Sequence, residues 1–210
     1  MDAKTQYAKL WDEQKISKTP APNPTLRGLK LFGRVISVVD GDTAYIATCV
    51  NGSLLRFTVR VAHLDCPEMD HEFGEVTVTE HEHKLGCRGK NTVLHHMLPN
   101  HFQILDEDVY TWQKQRPIFD ANPVMVVLDC SVPEDAKQKS EKYKRELAKI
   151  SIVKDKNDEK GRDIAEILIE AGLADPYEGG TKVRSFMKNA PKDDKLFQRK
   201  KASAKKEPSE

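Results

Sequence analysis

The chain has 210 residues, 38% of them hydrophobic, which suffices for one ordinary core with tails to spare. Charged residues make up 32%, and no apolar run approaches the ~18 residues that a membrane-spanning helix needs. The first twenty residues carry scattered charges and lack the apolar stretch of a secretory signal, so an intracellular protein, cytoplasmic or nuclear, is expected. A net charge of +1 conceals an asymmetry: residues 181–206 hold ten Lys or Arg against Asp193 and Asp194, and the rest of the chain is correspondingly acidic. Cys49, Cys66, Cys87 and Cys130 form no CxxC pair, which favours reduced thiols over a disulfide framework.

Residues 1–27 read as an N-terminal arm, helical around Tyr7–Gln14 and then broken by Pro20-Ala-Pro-Asn-Pro24. From Leu29 the pattern turns β-branched and apolar, predicting strands over Leu31–Val39 and Thr43–Val50. Asn51-Gly52 is a strong hairpin signal, because a two-residue type I′ turn needs positive φ twice. The return strand Ser53–Ala62 alternates Leu55, Phe57, Val59 and Val61 with Arg56, Thr58 and Arg60. A helix is expected over Lys90–Met97, extending back as far as Leu85. Residues 99–122 show no clear period and read as a long loop or insertion. Val124–Cys130 and Leu147–Val153 read as strands, and Asp163–Ala171 as a helix closed by Gly172. The order, three strands, helix, two strands, helix, predicts an α+β fold over residues 28–178, compatible with a five-stranded barrel plus packed helices. Residues 179–210 read as a basic C-terminal tail whose first part, around Val183, Phe186 and Met187, packs on the barrel.

The chemistry concentrates in Asp40-Gly-Asp-Thr43, Arg60 and Asp65-Cys-Pro-Glu68. A regular two-residue hairpin sets Thr43 opposite Arg60 and Asp42 opposite Val61, so four carboxylates and a guanidinium converge at one rim of the sheet. Crowded carboxylates call for a compensating cation, and hard oxygen donors favour Ca²⁺ or Mg²⁺ over zinc. A metal beside a guanidinium suits a phosphodiester, with a spare carboxylate to orient or deprotonate water. The plainer reading is a polar Asp-Gly turn with solvated acids and a surface arginine; the combination is what points to a site.

Val38-Val-Asp-Gly-Asp-Thr43, Phe57-Thr-Val-Arg60, Leu64-Asp-Cys-Pro-Glu68, Lys142-Tyr-Lys-Arg145-Glu-Leu-Ala148 and Glu170-Ala-Gly-Leu-Ala174 resemble, in order, the motifs of the staphylococcal nuclease (thermonuclease) family. The resemblance spans about 150 residues, from Leu29 to about Tyr177. It implies a five-stranded OB-like β-barrel with about three packed helices, and a Ca²⁺-dependent, sequence-nonspecific nuclease of DNA and RNA that leaves 3′-phosphate ends. On that resemblance Asp42, Asp65 and the Cys66 carbonyl would bind Ca²⁺, with Asp40 supporting them. Glu68 would be general base or water-positioning group, and Arg60 and Arg145 would hold the phosphate. Thr43, Lys142, Tyr143 and Tyr177 would contact substrate. A monomer without an obligate protein partner is expected. The chain departs from the family pattern at Cys66, usually Thr, at Lys144, usually Gly, and in the apparent insertion. The alternative is a noncatalytic nucleic-acid or protein-binding module on the same barrel.

Two other features invite readings. His81, His83, His95 and His96, with His71, Cys66 and Cys87 nearby in sequence, could hold zinc, although no standard ligand spacing is present and helix-surface histidines are the plainer account. Tyr110, Trp112 and Phe119, near Lys114 and Arg116, could stack bases or simply anchor their segment to the barrel.

Overall fold

A computed structural model describes residue 5 and residues 25–69, 78–131, 145–155, 157–158, 160–178, 184–191 and 194–195. The N-terminal arm helix expected over Tyr7–Gln14 lies outside them, as do Lys142 and Tyr143. Strands β1 (Lys30–Val38), β2 (Thr43–Val50) and β3 (Ser53–Val61) form an antiparallel meander. Then come the short β4 (Leu64–Asp65), helix α1 (Glu80–Met97) and helix α2 (Trp112–Ala121). Strands β5 (Met125–Asp129) and β6 (Glu146–Val153) follow, with the short β7 (Arg162–Asp163), helix α3 (Ile164–Glu170), the short β8 (Asp175–Pro176) and a 3₁₀ turn at Ser185–Met187.

The hairpin register is the one that the Asn51-Gly52 turn demands. Asn51 and Gly52 adopt φ of 49° and 80°, Thr43 faces Arg60, and the Val61 N–H donates to the Asp42 carbonyl at 2.7 Å. In the sheet β2 is flanked by β3 and β1, then β5 and β6. Parallel pairing of β6 with β3, Val59 opposite Glu146, closes the five strands into a mixed barrel. With three helices among the described residues packed around it, the molecule is an α+β OB-like barrel. Ile46, Val59, Val126, Leu128 and Ile150 fill its interior, and Leu94 and Leu168 bring α1 and α3 against it. Each such side chain contributes about 1.5–3 kcal/mol through burial.

Two expectations are corrected. Residues 99–122 are not a featureless loop: α2 occupies their second half, with Phe119 in the core. The buried Gln115 binds both the N–H and the C=O of Val38, at 2.8 and 2.9 Å. The helix has little period to read because it buries a polar Gln and a Phe four apart and contains Pro117, which cannot donate to the ladder. Helix α1 begins at Glu80 rather than near Leu85. Thr79 caps it, its hydroxyl accepting the Glu82 N–H at 3.2 Å. That signal was legible as Thr79-x-x-Glu82, the capping-box spacing, but Gly86 and Gly89 interrupt the pattern that would have carried the helix back to it.

Candidate functional site

The site begins in the β1–β2 turn. The N–H groups of Val39 and Asp40 both donate to the Thr43 carbonyl, at 2.8 and 3.3 Å. The Asp40 carboxylate accepts the Asp42 N–H at 3.1 Å, a side-chain turn of the kind Asp favours. This turn holds Asp42 at the barrel rim, only 4% exposed. Arg60, at the end of β3, grips it with a fork: Nη1 to Oδ1 at 2.8 Å and Nη2 to Oδ2 at 2.6 Å. Thr43 Oγ1 donates to Asp42 Oδ1 at 2.8 Å. Arg145, immediately before β6, is brought to the same rim by the parallel β3–β6 pairing, and its Nη1 lies 3.5 Å from Thr43 Oγ1.

The electrostatics bind these groups into one site. Burial pushes the Asp42 carboxyl up to about 8; Asp40 and Glu68 add to the rise, while Arg60 and Thr43 oppose it. Burial works against the charge of the Arg60 guanidinium, but Asp42, Asp40 and Glu68 together outweigh it and raise its pKa. Asp40 and Glu68 are therefore close enough to act on both Asp42 and Arg60. The Cys66 thiol, also buried, is pushed well above its usual range by burial and then by Asp42 and Asp40.

The second side of the rim is built differently. Asp65 lies in β4, which pairs with β8, Asp65 opposite Asp175. Its carboxylate, 1% exposed, faces Arg184, with Nε at 3.7 Å. The Glu68 N–H donates to Glu82 Oε1 at 3.3 Å, and the same oxygen accepts from Arg184 Nη1 at 2.8 Å. Helix α1 can lie against this loop because position 86 is glycine. A Cβ there would stand 2.7 Å from Met69 Cγ and 2.9 Å from the Glu68 carbonyl oxygen. Tyr177 follows β8 and its N–H donates to the His63 carbonyl at 2.9 Å, which holds it on the β4 side of the rim.

The structure thus brings Asp40, Asp42, Thr43, Arg60, Glu68 and Arg145 together, with Cys66 beside them and Asp65 turned toward Arg184. Glu82, Gly86 and Arg184 are site residues that reading the sequence missed. Among the described residues no three His, Cys, Asp or Glu side chains converge as a ready ligand set. The donors present, on Asp40, Asp42 and Glu68, are hard carboxylate oxygens, the type that Ca²⁺ or Mg²⁺ takes.

His83, His95 and His96 make local contacts, and His71 lies outside the described residues. Nδ1 of His95 meets the Phe102 carbonyl and that of His96 the Thr92 carbonyl, at 2.8 and 2.9 Å, while His83 Nε2 lies 3.4 Å from Cys87 Sγ. All four cysteines are free and buried. Of the aromatics, Phe119 is core and Tyr110 packs edge-on to Phe102. Trp112 packs edge-on to Tyr45 and lies under Arg116, so the segment is anchored to the barrel. No protein-family model matches the chain, and no curated protein matches it.

Proposed function

We propose that this protein is a Ca²⁺-dependent nuclease hydrolysing DNA and RNA with little sequence specificity. The observation that carries the reading is the buried Asp42–Arg60 fork with Asp40 and Glu68 acting on both partners. Few structural needs explain three carboxylates crowded on one guanidinium at a barrel rim, and perturbed clusters of this kind concentrate at functional sites.

Asp42, Asp65 and the Cys66 carbonyl would hold the ion, supported by Asp40, and bound there it would offset the charge of a phosphate. The chain's own groups have definable tasks. Arg60 and Arg145 present guanidinium donors toward one rim, suited to the equatorial oxygens of a phosphodiester. Asp42 and Thr43 orient those donors, so little reorganisation is needed when charge develops. Glu68 accepts the proton of the attacking water; the water oxygen bonds to phosphorus, the P–O5′ bond breaks, and the leaving oxygen takes up a proton. The 3′ side keeps the phosphate.

The test is cleavage of plasmid and single-stranded DNA by the purified full chain with calcium, magnesium or EDTA, beside Glu68→Gln and Arg60→Ala. Calcium-dependent cleavage lost in both variants is the expected result; absence of cleavage by the wild type under all conditions ends the enzyme reading. One observation favours a noncatalytic binding module instead: both oxygens of Asp42 are engaged by Arg60 and Thr43 rather than directed at a shared ligand position. Nucleic-acid binding without cleavage is the outcome that reading expects.

A further inference from the structure

We propose that Arg184, from the segment that the sequence presents as the start of a basic tail, is a positioning residue of the site, holding Asp65 and fixing the main chain at Glu68. The inference rests on the nuclease reading for its catalytic consequence, though not for its geometry.

Residues 184–191 and 194–195 form a strap across the beginning of α1. Its Ser185 donates through both N–H and Oγ to the Asp175 carboxylate, opposite Asp65 in the β4–β8 pair. Phe186 is buried. The Glu80 N–H donates to the Lys195 carbonyl at 2.8 Å, and the His81 N–H to the Asp194 carboxylate at 3.1 Å. These contacts bring one guanidinium between two buried acids. Arg184 Nη1 lies 2.8 Å from Glu82 Oε1 and Nε 3.7 Å from Asp65 Oδ2, with the two carboxylate side chains 8% and 1% exposed.

Geometry then carries the effect to Glu68. Glu82 stands at the position from which a capping-box glutamate reaches back to its own helix N-terminus. Here its Oε1 instead accepts from Arg184 and from the Glu68 N–H. A chain of contacts therefore runs from the strap through Glu82 to the loop that carries Glu68, and directly to Asp65. A guanidinium suits this place because its planar fork can serve two carboxylates at once, which a lysine ammonium does not match. Groups outside a site that orient its acids typically matter about 10- to 100-fold in activity or cation affinity.

The experiment compares Arg184→Ala, Arg184→Lys and Glu82→Gln with wild type in the full chain. Expected is a fall in kcat of about 10-fold or more with KM for the nucleic acid changed less than about threefold, since Arg184 does not touch the substrate. Guanidinium ion at low, non-denaturing concentration should restore part of the rate to Arg184→Ala and leave wild type unaffected; Arg184→Lys should stay impaired. Unchanged kcat with lowered Tm means a purely structural anchor and overturns the proposal. A raised KM alone, or a faster Arg184→Ala, overturns it equally, the latter by making the strap inhibitory. If wild type does not cleave at all, the nuclease reading has failed, and exchange of the Glu68 amide proton decides the geometry. Acceleration of at least about 10-fold in Arg184→Ala and Glu82→Gln supports the proposal, and unchanged exchange overturns it.

Discussion

Asp42 and Arg60 are 18 residues apart and meet through a single hairpin, so their pairing follows from one turn and one register. Asp65 and Glu68 depend instead on α1 and on the strap, where the Glu82–Arg184 contact spans 102 residues. The first half of the rim is fixed by nearest-neighbour geometry; the second exists only once the barrel, helix and strap have assembled. The two halves should therefore fail in different ways, and substitutions can separate them. On the hairpin side Arg60→Ala should have the largest effect. Nuclease activity should fall on the order of 10²–10³-fold, the usual consequence of losing a donor aimed at developing charge. Measured above about pH 8, where wild-type Asp42 is ionised, stability should fall on the order of 3 kcal/mol, the lower end for breaking a buried pair, because Asp42 without Arg60 can take up a proton. Adding Asp42→Asn should return most of the stability and none of the activity. Urea unfolding and cleavage rates of the two single variants and the double variant measure both, and recovery of cleavage in the double variant would count against a role for Arg60 at the phosphate.

On the assembled side Gly86→Ala tests the close approach of α1 to the Glu68 loop. The new methyl would meet Met69 Cγ at 2.7 Å and the Glu68 carbonyl oxygen at 2.9 Å. Helix propensity favours alanine by about 1 kcal/mol, while overpacking costs about 1–3 kcal/mol, so a modest net loss of stability is expected. The effect on kcat should be larger, about 10-fold or more, because a displacement of the Glu68 main chain misplaces its carboxylate. A Gly86→Ala protein with normal kcat would show that the loop position does not matter to the chemistry. Arg60→Ala and Gly86→Ala thus differ in signature: the first costs much of both quantities, the second chiefly rate.

The pH dependence sharpens the contrast further, since Asp42 is gripped by Arg60 and Thr43 of the hairpin. Its folded pKa is raised from the ordinary 3.8 to about 8, by burial first and then by Asp40. Between those values the folded protein holds a proton that the unfolded chain has released, so this group's contribution to stability is fully present below 3.8 and is lost as pH rises toward about 8. Thermal unfolding across that window should fall more steeply for wild type than for Asp42→Asn, measured without calcium. Parallel curves for the two proteins would remove Asp42 as the source. Calcium should flatten the wild-type curve, because a bound cation favours the ionised carboxyl.

These differences also explain what could be read in advance. Thr43 opposite Arg60 follows from Asn51-Gly52 and period-two alternation, both short-range signals, and the barrel follows from strands of the same kind. Helix α2 escaped because its buried face is Gln115 and Phe119 with Pro117 between them, which no apolar period describes. Arg184 escaped for a deeper reason. In sequence it is one cation among ten in a basic stretch, and only the fold selects it by bringing it to two buried acids. Phe186, apolar among charges, was the local sign that this stretch packs.

The smallest effect belongs at the opposite end of the hairpin, where geometry is needed but chemistry is absent. Gly52 has φ of 80° and nothing within 4 Å of where a Cβ would stand, so Gly52→Ala is opposed by backbone conformation alone. Left-handed backbone costs an ordinary residue roughly 1–2 kcal/mol, which in a protein of this size lowers Tm by about 2–8 °C. Because all eight pairs from Val50↔Ser53 to Thr43↔Arg60 hold the register, the Asp42–Arg60 fork should survive and kcat should stay within about twofold of wild type. A large loss of kcat in Gly52→Ala would mean that the turn does more than start the hairpin: that the register at Arg60 depends on it continuously, and that the two ends of β2 and β3 are mechanically coupled.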